Sequence, residues 1–206
     1  MSGPTIDLAD FDQFCANRMG PSRFQGLFTA WLTSHFDSAD KIQEPSLKSY
    51  VWTDDYTTTN ILIDSATRWN PQLVEKRPAI IIKRGNITNN RLGIDDRLMG
   101  GTNLGPQYYV TFWQGNHVLF CIGSSGMEAE LIAEEVLKEI HEFASKVARR
   151  IGIFKLKVQQ IGEVHKLEEA KENFVVPIIV EYAFSEEWQI TPHAPVINGI
   201  NLSFFF

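Results

Sequence analysis

The residues able to do chemistry are thinly scattered along this chain. His141 is followed directly by Glu142. A zinc protease would need a second histidine four positions on, so that two imidazoles share one helix face, and that position is Ser145. A solvated pair on a helix is the reading that fits. Glu163 and His165 are close neighbours, but transition-metal sites draw on three or four ligands. Asp54-Asp55, Asp64 and Asp95-Asp96 could gather around a divalent cation, yet they lack the regular spacing of a calcium loop. Met99 to Gly105 is glycine-rich. A phosphate loop of the Walker kind needs Gly-Lys-Ser/Thr running into a helix whose backbone amides cradle the anion, and here Leu-Gly-Pro runs into a strand-like stretch. Ser124-Ser125-Gly126 lacks the Gly-x-Ser-x-Gly elbow of a nucleophilic serine, and helix capping accounts for it. Cys121 lies in an apolar run, which predicts a buried, inert thiol. No catalytic, cofactor-binding or metal site is expected, and the chain does not read as an enzyme.

Composition narrows the remaining classes. The chain has 206 residues, 44% hydrophobic and 21% charged, which suits one globular domain over residues 1–206 with a real core. The net charge of -6 argues against a general nucleic-acid binder, since phosphate neutralisation needs surplus Lys and Arg. Cys15 and Cys121 are the only cysteines; buried small hydrophobes are the ordinary reading, and a disulfide between them stays open. The opening Met-Ser-Gly-Pro-Thr-Ile-Asp has neither a basic region nor an apolar run, so no secretory signal is expected, and no stretch approaches the roughly 20 apolar residues of a membrane helix.

The elements that must position any site follow from periodicity. Residues 1–40 read as a helical segment. Thr5 to Met19 forms one short helix, broken at Gly20-Pro21, and Pro21 suits the first turn of the next. There Phe24, Leu27, Phe28, Trp31, Leu32 and His35 keep the helical spacing without a gap. Core packing is the ordinary account of such an aromatic stripe; a docking face for a neighbouring subunit is the other. Short β-like runs follow at Ser49 to Trp52, Thr58 to Asp64 and Arg77 to Lys83, the last containing Ile80-Ile81-Ile82, as in a strand covered on both faces. Gln107 to Gly123 reads as a β-hairpin turning at Gln114-Gly115-Asn116. Ser125 then caps a long helix with Ile132, Val136, Ile140, Phe143 and Val147 on one stripe. Acids lie toward its start, Lys146, Arg149 and Arg150 toward its end, and Gly152 stops it. Phe154 to Val158 alternates as a strand with one wet face. Phe174 to Phe184 is another strand, placed at an edge or bulged by Pro177. Val196 to Phe206 is a β-like tail. The predicted fold class is α+β: an antiparallel or mixed sheet with a long helix on one face.

Gly85 to Pro106 stands apart as a long loop or arm, with four glycines besides Gly85 and four asparagines. Lys83, Arg84, Arg91 and Arg97 bias it positive. Ordinary solvation explains each residue singly; contact with an acidic neighbour or with nucleic acid is the functional alternative. Candidate interface residues are Lys83, Arg84, Arg91, Leu92, Arg97, Leu98 and the terminal Phe204, Phe205 and Phe206.

From Arg77 to Phe184 the succession of Pro-Ala-Ile-Ile-Ile strand, long loop, Tyr-Tyr-Val-Thr-Phe-Trp run, capped helix from Gly126 and Lys-Leu-Lys-Val strand resembles the tail terminator or tail-completion proteins of long-tailed bacteriophages. The resemblance covers about half the chain and rests on architecture, and that family offers no catalytic residues to carry over. It implies a structural virion protein of the tail or neck, assembled in the host cytoplasm as a closed homo-oligomeric ring, a hexamer. Its partners would be copies of itself, the tail tube and the head–tail connector, with DNA passing nearby in the lumen and no membrane. The competing expectations are another neck or tail component, a small enzyme built on scattered Asp, His and Glu, and a module stacking bases on Tyr108, Tyr109, Phe112 or Trp113.

Overall fold

A computed structural model describes residues 20–68, 78–90, 97–99, 107–167 and 173–190. The expected Thr5–Met19 helix and the Val196–Phe206 tail lie outside them. The fold is α+β, a mixed seven-stranded sheet bearing two helices on one face. Helix α1 spans Pro21–Phe36 and α2 spans Gly126–Ile151. The strands are β1 (Leu62–Ser65), β2 (Ala79–Asn90), β3 (Arg97–Met99), β4 (Gln107–Gly123), β5 (Lys155–Ile161), β6 (His165–Lys166) and β7 (Phe174–Ile190). The main path runs β1-β2-β4-β7-β5, with β3 pairing β4 and β6 pairing β7. Only β1 with β2 is parallel.

The aromatic stripe of α1 is core. Phe24, Leu27, Phe28, Trp31 and Leu32 are buried against the sheet within the chain itself, so the docking-face alternative falls. Phe24 stacks on Tyr182 with ring centroids 3.7 Å apart. In α2 the predicted stripe is likewise buried, the Ser125 hydroxyl accepts from the Glu128 N–H at 3.2 Å, and Gly152 closes the helix at φ 76°, a left-handed geometry that costs glycine nothing. Ile80 and Ile82 face the helices. Ile81 faces the other way, into a smaller cluster with Leu62, Ala79, Ile122 and Val175. The triple-isoleucine strand is therefore covered on both faces, as its composition predicts.

Four expectations are corrected. The Gln107–Gly123 hairpin is one unbroken strand of 17 residues, because β7 pairs with it from Gly123↔Phe174 to Gln107↔Ile190 without a register shift. Gly115 marks a close approach and not a turn: a Cβ there would lie 2.7 Å from the Tyr182 hydroxyl and 2.9 Å from Ile87 Cγ1. The segment 85–106 is not wholly loop, since β2 continues through Asn90 after a register shift between Arg84 and Ile87, and β3 pairs with Tyr108 and Tyr109. Ser49 to Trp52 is no strand; it is tied to the end of α1, the Trp52 N–H donating to the Phe36 carbonyl at 2.7 Å. Finally, Pro177 sits in an interior strand, unbulged against β4. Its carbonyl accepts from the Gly162 N–H at 2.8 Å, just past β5. A residue's N–H and C=O point the same way in a strand, so the missing donor faces the gap between β5 and β6 and the β4 ladder loses nothing.

Candidate functional site

The residues singled out as interface candidates do not converge. Lys83 and Arg84 are both exposed on β2, but they alternate: Lys83 pairs with Val118 on the face away from the helices, and Arg84 pairs with His117 on the helix-bearing side. Arg97 and Leu98 belong to β3, which pairs with β4 through Arg97↔Tyr109 and Met99↔Tyr108. Arg91, Leu92 and Phe204 to Phe206 lie outside the described residues. The aromatic run is not one stacking platform, because alternation sends Tyr109 and Trp113 to one face and Phe112 to the other. Trp113 is already engaged, its Nε1 donating to Glu186 at 3.2 Å.

The polar candidates are likewise dispersed. His141 and Glu142 are exposed on α2, and Glu163 and His165 are exposed near the far end of β5. Asp55 folds its own turn by accepting from the Thr57 N–H and hydroxyl. Cys121 is fully buried, and burial pushes its thiol up and out of the reactive range. Among the described residues no three His, Cys, Asp or Glu side chains are arranged to hold a metal ion.

Two buried polar groupings went unforeseen. The first ties α1 to α2. His35, 4% exposed, places Nε2 at 2.9 Å from Glu135 and Nδ1 at 3.0 Å from Glu139. Both carboxylates are buried, one helical turn apart on α2. Glu139 also accepts from Trp31 Nε1 at 2.7 Å, and Glu135 accepts from the N–H groups of Gln43 and Glu44 at 2.8 and 3.0 Å. Burial by itself would lower the pKa of His35; the hydrogen bonds to Glu135 and Glu139, and their charges, outweigh it and raise it to about 9. Glu135 is correspondingly held low against the opposing effect of its own burial. Both imidazole nitrogens are spent on carboxylates, so the cluster offers a metal no imidazole lone pair. It is a buried ion triad that fastens the helix layer and the 37–45 connection together. The one sequence signal was His35 in an otherwise apolar stripe.

The second grouping lies where β2 shifts register. His117 and Tyr182 are fully buried, with ring centroids 5.4 Å apart. Neither His117 nitrogen nor the Tyr182 hydroxyl has a hydrogen-bond partner, and the Thr111 hydroxyl farther along β4 is in the same position. Burial, helped by the charge of Arg84, pulls His117 down to about 4, so it sits neutral in the fold; burial also pushes Tyr182 up to about 12, against the opposing charge of Arg84. Phe28 lies against the His117 ring, centroids 5.2 Å apart.

Searched against models of known protein families, the chain matches none. No curated protein matches it either.

Proposed function

We propose that this chain is a structural virion protein that assembles with copies of itself into a closed ring, a tail terminator at the head–tail junction of a long-tailed phage, and that it is not an enzyme. The observation that carries the reading is the ribbon of β4 and β7. Each strand is 17 residues long, which at roughly 3.3 Å per residue is about 55 Å. Among the described residues α1 meets the ribbon as far as Phe24 on Phe184, and the pairing continues from Phe112↔Ser185 to Gln107↔Ile190. A long paired ribbon of this kind is suited to bracing a neighbour. The paired β2 and β4 carry the 91–106 connection at that same end, where an arm would reach a neighbouring subunit, the tail tube or the connector. The order of strand, long connection, strand, capped helix and strand from 77 to 184 supports the resemblance on which the hexamer rests. Native mass spectrometry of the purified protein, alone and with tail-tube protein, tests it. A closed oligomer, six-membered by the resemblance, is expected; a strict monomer that ignores tubes would overturn it.

A further inference from the structure

Helix α1 is fastened differently at its two ends. Toward Phe36 the ties are polar. His35 is held between Glu135 and Glu139, Trp31 Nε1 donates to Glu139, and the Phe36 carbonyl accepts from the Trp52 N–H. Toward Pro21 they are apolar. Phe24 stacks on Tyr182 and meets Phe184 at 5.2 Å between centroids, and Phe28 lies on His117. We propose that this asymmetry makes α1 an acid-released flap: its first two turns lift from the sheet when His117 takes up a proton, while its last turns stay latched to α2.

The release end is built around a histidine with no place for a charge. His117 is fully buried on the helix-bearing face of β4, across from Arg84 on β2 and Val180 on β7. Gly115 and Leu119 flank it along β4, Tyr182 stands beside it, and Phe28 covers it from α1. Of these neighbours Arg84 alone is charged, and it repels an imidazolium. The Tyr182 phenol, pushed up to about 12 by its burial, stays neutral. Among the described residues no carboxylate answers His117, and neither ring nitrogen has a hydrogen-bond partner. With α1 in place the imidazole therefore titrates near about 4; once lifted it is wetted and returns toward 6.5. Lifting breaks no side-chain hydrogen bond of His117 or Tyr182 and lets water reach three buried polar atoms, the two ring nitrogens and the phenol oxygen. What opposes it is the apolar contact of Phe24 and Phe28.

The latch end is insensitive to the same acid. Its imidazolium is already charged, since the two carboxylates raise His35 to about 9. Glu135 is held low by His35 and by the N–H groups of Gln43 and Glu44. A falling pH thus loosens one end of α1 before the other.

Hydrogen–deuterium exchange of the full chain, read by mass spectrometry, tests this. Wild type is compared with His117→Gln and Arg84→Gln at the same pH, so intrinsic exchange cancels. Between about pH 6.5 and about pH 4 the wild-type amides of residues 25–29 should lose protection by on the order of a hundredfold, the ratio set by the two titration points, while those of 33–36 and of β4 and β7 keep theirs. His117→Gln should show no such loss. Arg84→Gln removes the repelling charge from an exposed position, so it should fold as the wild type does and lose less protection than wild type at about pH 4. Unchanged protection of 25–29 in acid overturns the proposal, and so does equal loss along the whole of α1 and the sheet. A loss in His117→Gln matching the wild type overturns it as well. Should His117→Gln not fold, an Arg84→Gln profile identical to the wild type decides against it.

Discussion

Replacing His35 with glutamine strands two buried carboxylates. Among the described residues the imidazolium is the one cation between Glu135 and Glu139, and one amide cannot bridge both at 2.9 and 3.0 Å. A pKa moved from 6.5 to about 9 corresponds, at roughly 1.4 kcal/mol per unit, to about 3 kcal/mol of folding free energy. Breaking a buried ion pair by deleting one partner costs a comparable 3–5 kcal/mol or so. The expected loss for His35→Gln at neutral pH is therefore about 3–5 kcal/mol, a large share of the ~5–15 kcal/mol stability of a typical domain. The sign in pH follows from the raised pKa: the stabilisation is complete below pH 6.5 and is lost as pH rises through about 9. Urea unfolding read by tryptophan fluorescence suits the question, since Trp31 donates into the same cluster. A cycle pairing His35→Gln with Glu135→Gln should show coupling of about 1 kcal/mol or more. A His35→Gln cost below about 1 kcal/mol, or parallel loss of stability in wild type and variant between pH 6.5 and 9, would refute the reasoning.

His117 works at the other end of the pH scale. Its folded pKa is lowered from 6.5 to about 4, so the unfolded chain binds the extra proton. About 3 kcal/mol is lost as pH falls across that interval, and His117→Gln should flatten the difference in acid titrations of stability. Gly115→Ala should cost about 1–3 kcal/mol, read as a lower melting temperature, because its methyl meets Tyr182 and Ile87. Tyr182→Phe should be neutral or stabilising alone, since the lost hydroxyl has no partner, and should relieve part of the Gly115→Ala cost. Ile140→Ala should cost about 2–5 kcal/mol in chemical denaturation, and exposed Glu134→Gln no more than roughly 0.5 kcal/mol; equal effects would contradict the orientation of α2.

Helices were legible because their signals are local. Pro21, the Ser125 cap, the αL stop at Gly152 and the two apolar stripes each depend on neighbours within a few residues. Strand continuity was not, because it depends on a distant partner. Gln114-Gly115-Asn116 carries a turn's composition, and it is kept straight by β2 on one side and by β7, arriving more than fifty residues later, on the other. Pro177 argued for an edge by the same local logic, which knows nothing of a gap between β5 and β6 on the side of the missing N–H. The ion triad was hidden differently. Glu135 sits among Glu130 and Glu134 and reads as one more acid near a helix start, yet it is buried while Glu130 and Glu134 are in water. What separates them is rotation about the helix axis and the arrival of His35 from a hundred residues earlier. Lys83 could be chosen as an exposed charge, but which face it serves needed the register of β2 on β4.

The central place of β7 has a consequence for synthesis. It lies between β4 and β5 and is the last described strand to leave the ribosome. Until it emerges, β4 offers one long side of unpaired backbone and β5 has no strand partner among the described residues. Parts of the inner layer can gather early, since α1, β1, β2, β4 and α2 precede it, but the sheet cannot be completed. Any nascent or truncated chain that stops before Phe174 displays an open edge of the sort that recruits foreign strands. The last strand therefore acts as a checkpoint on completeness.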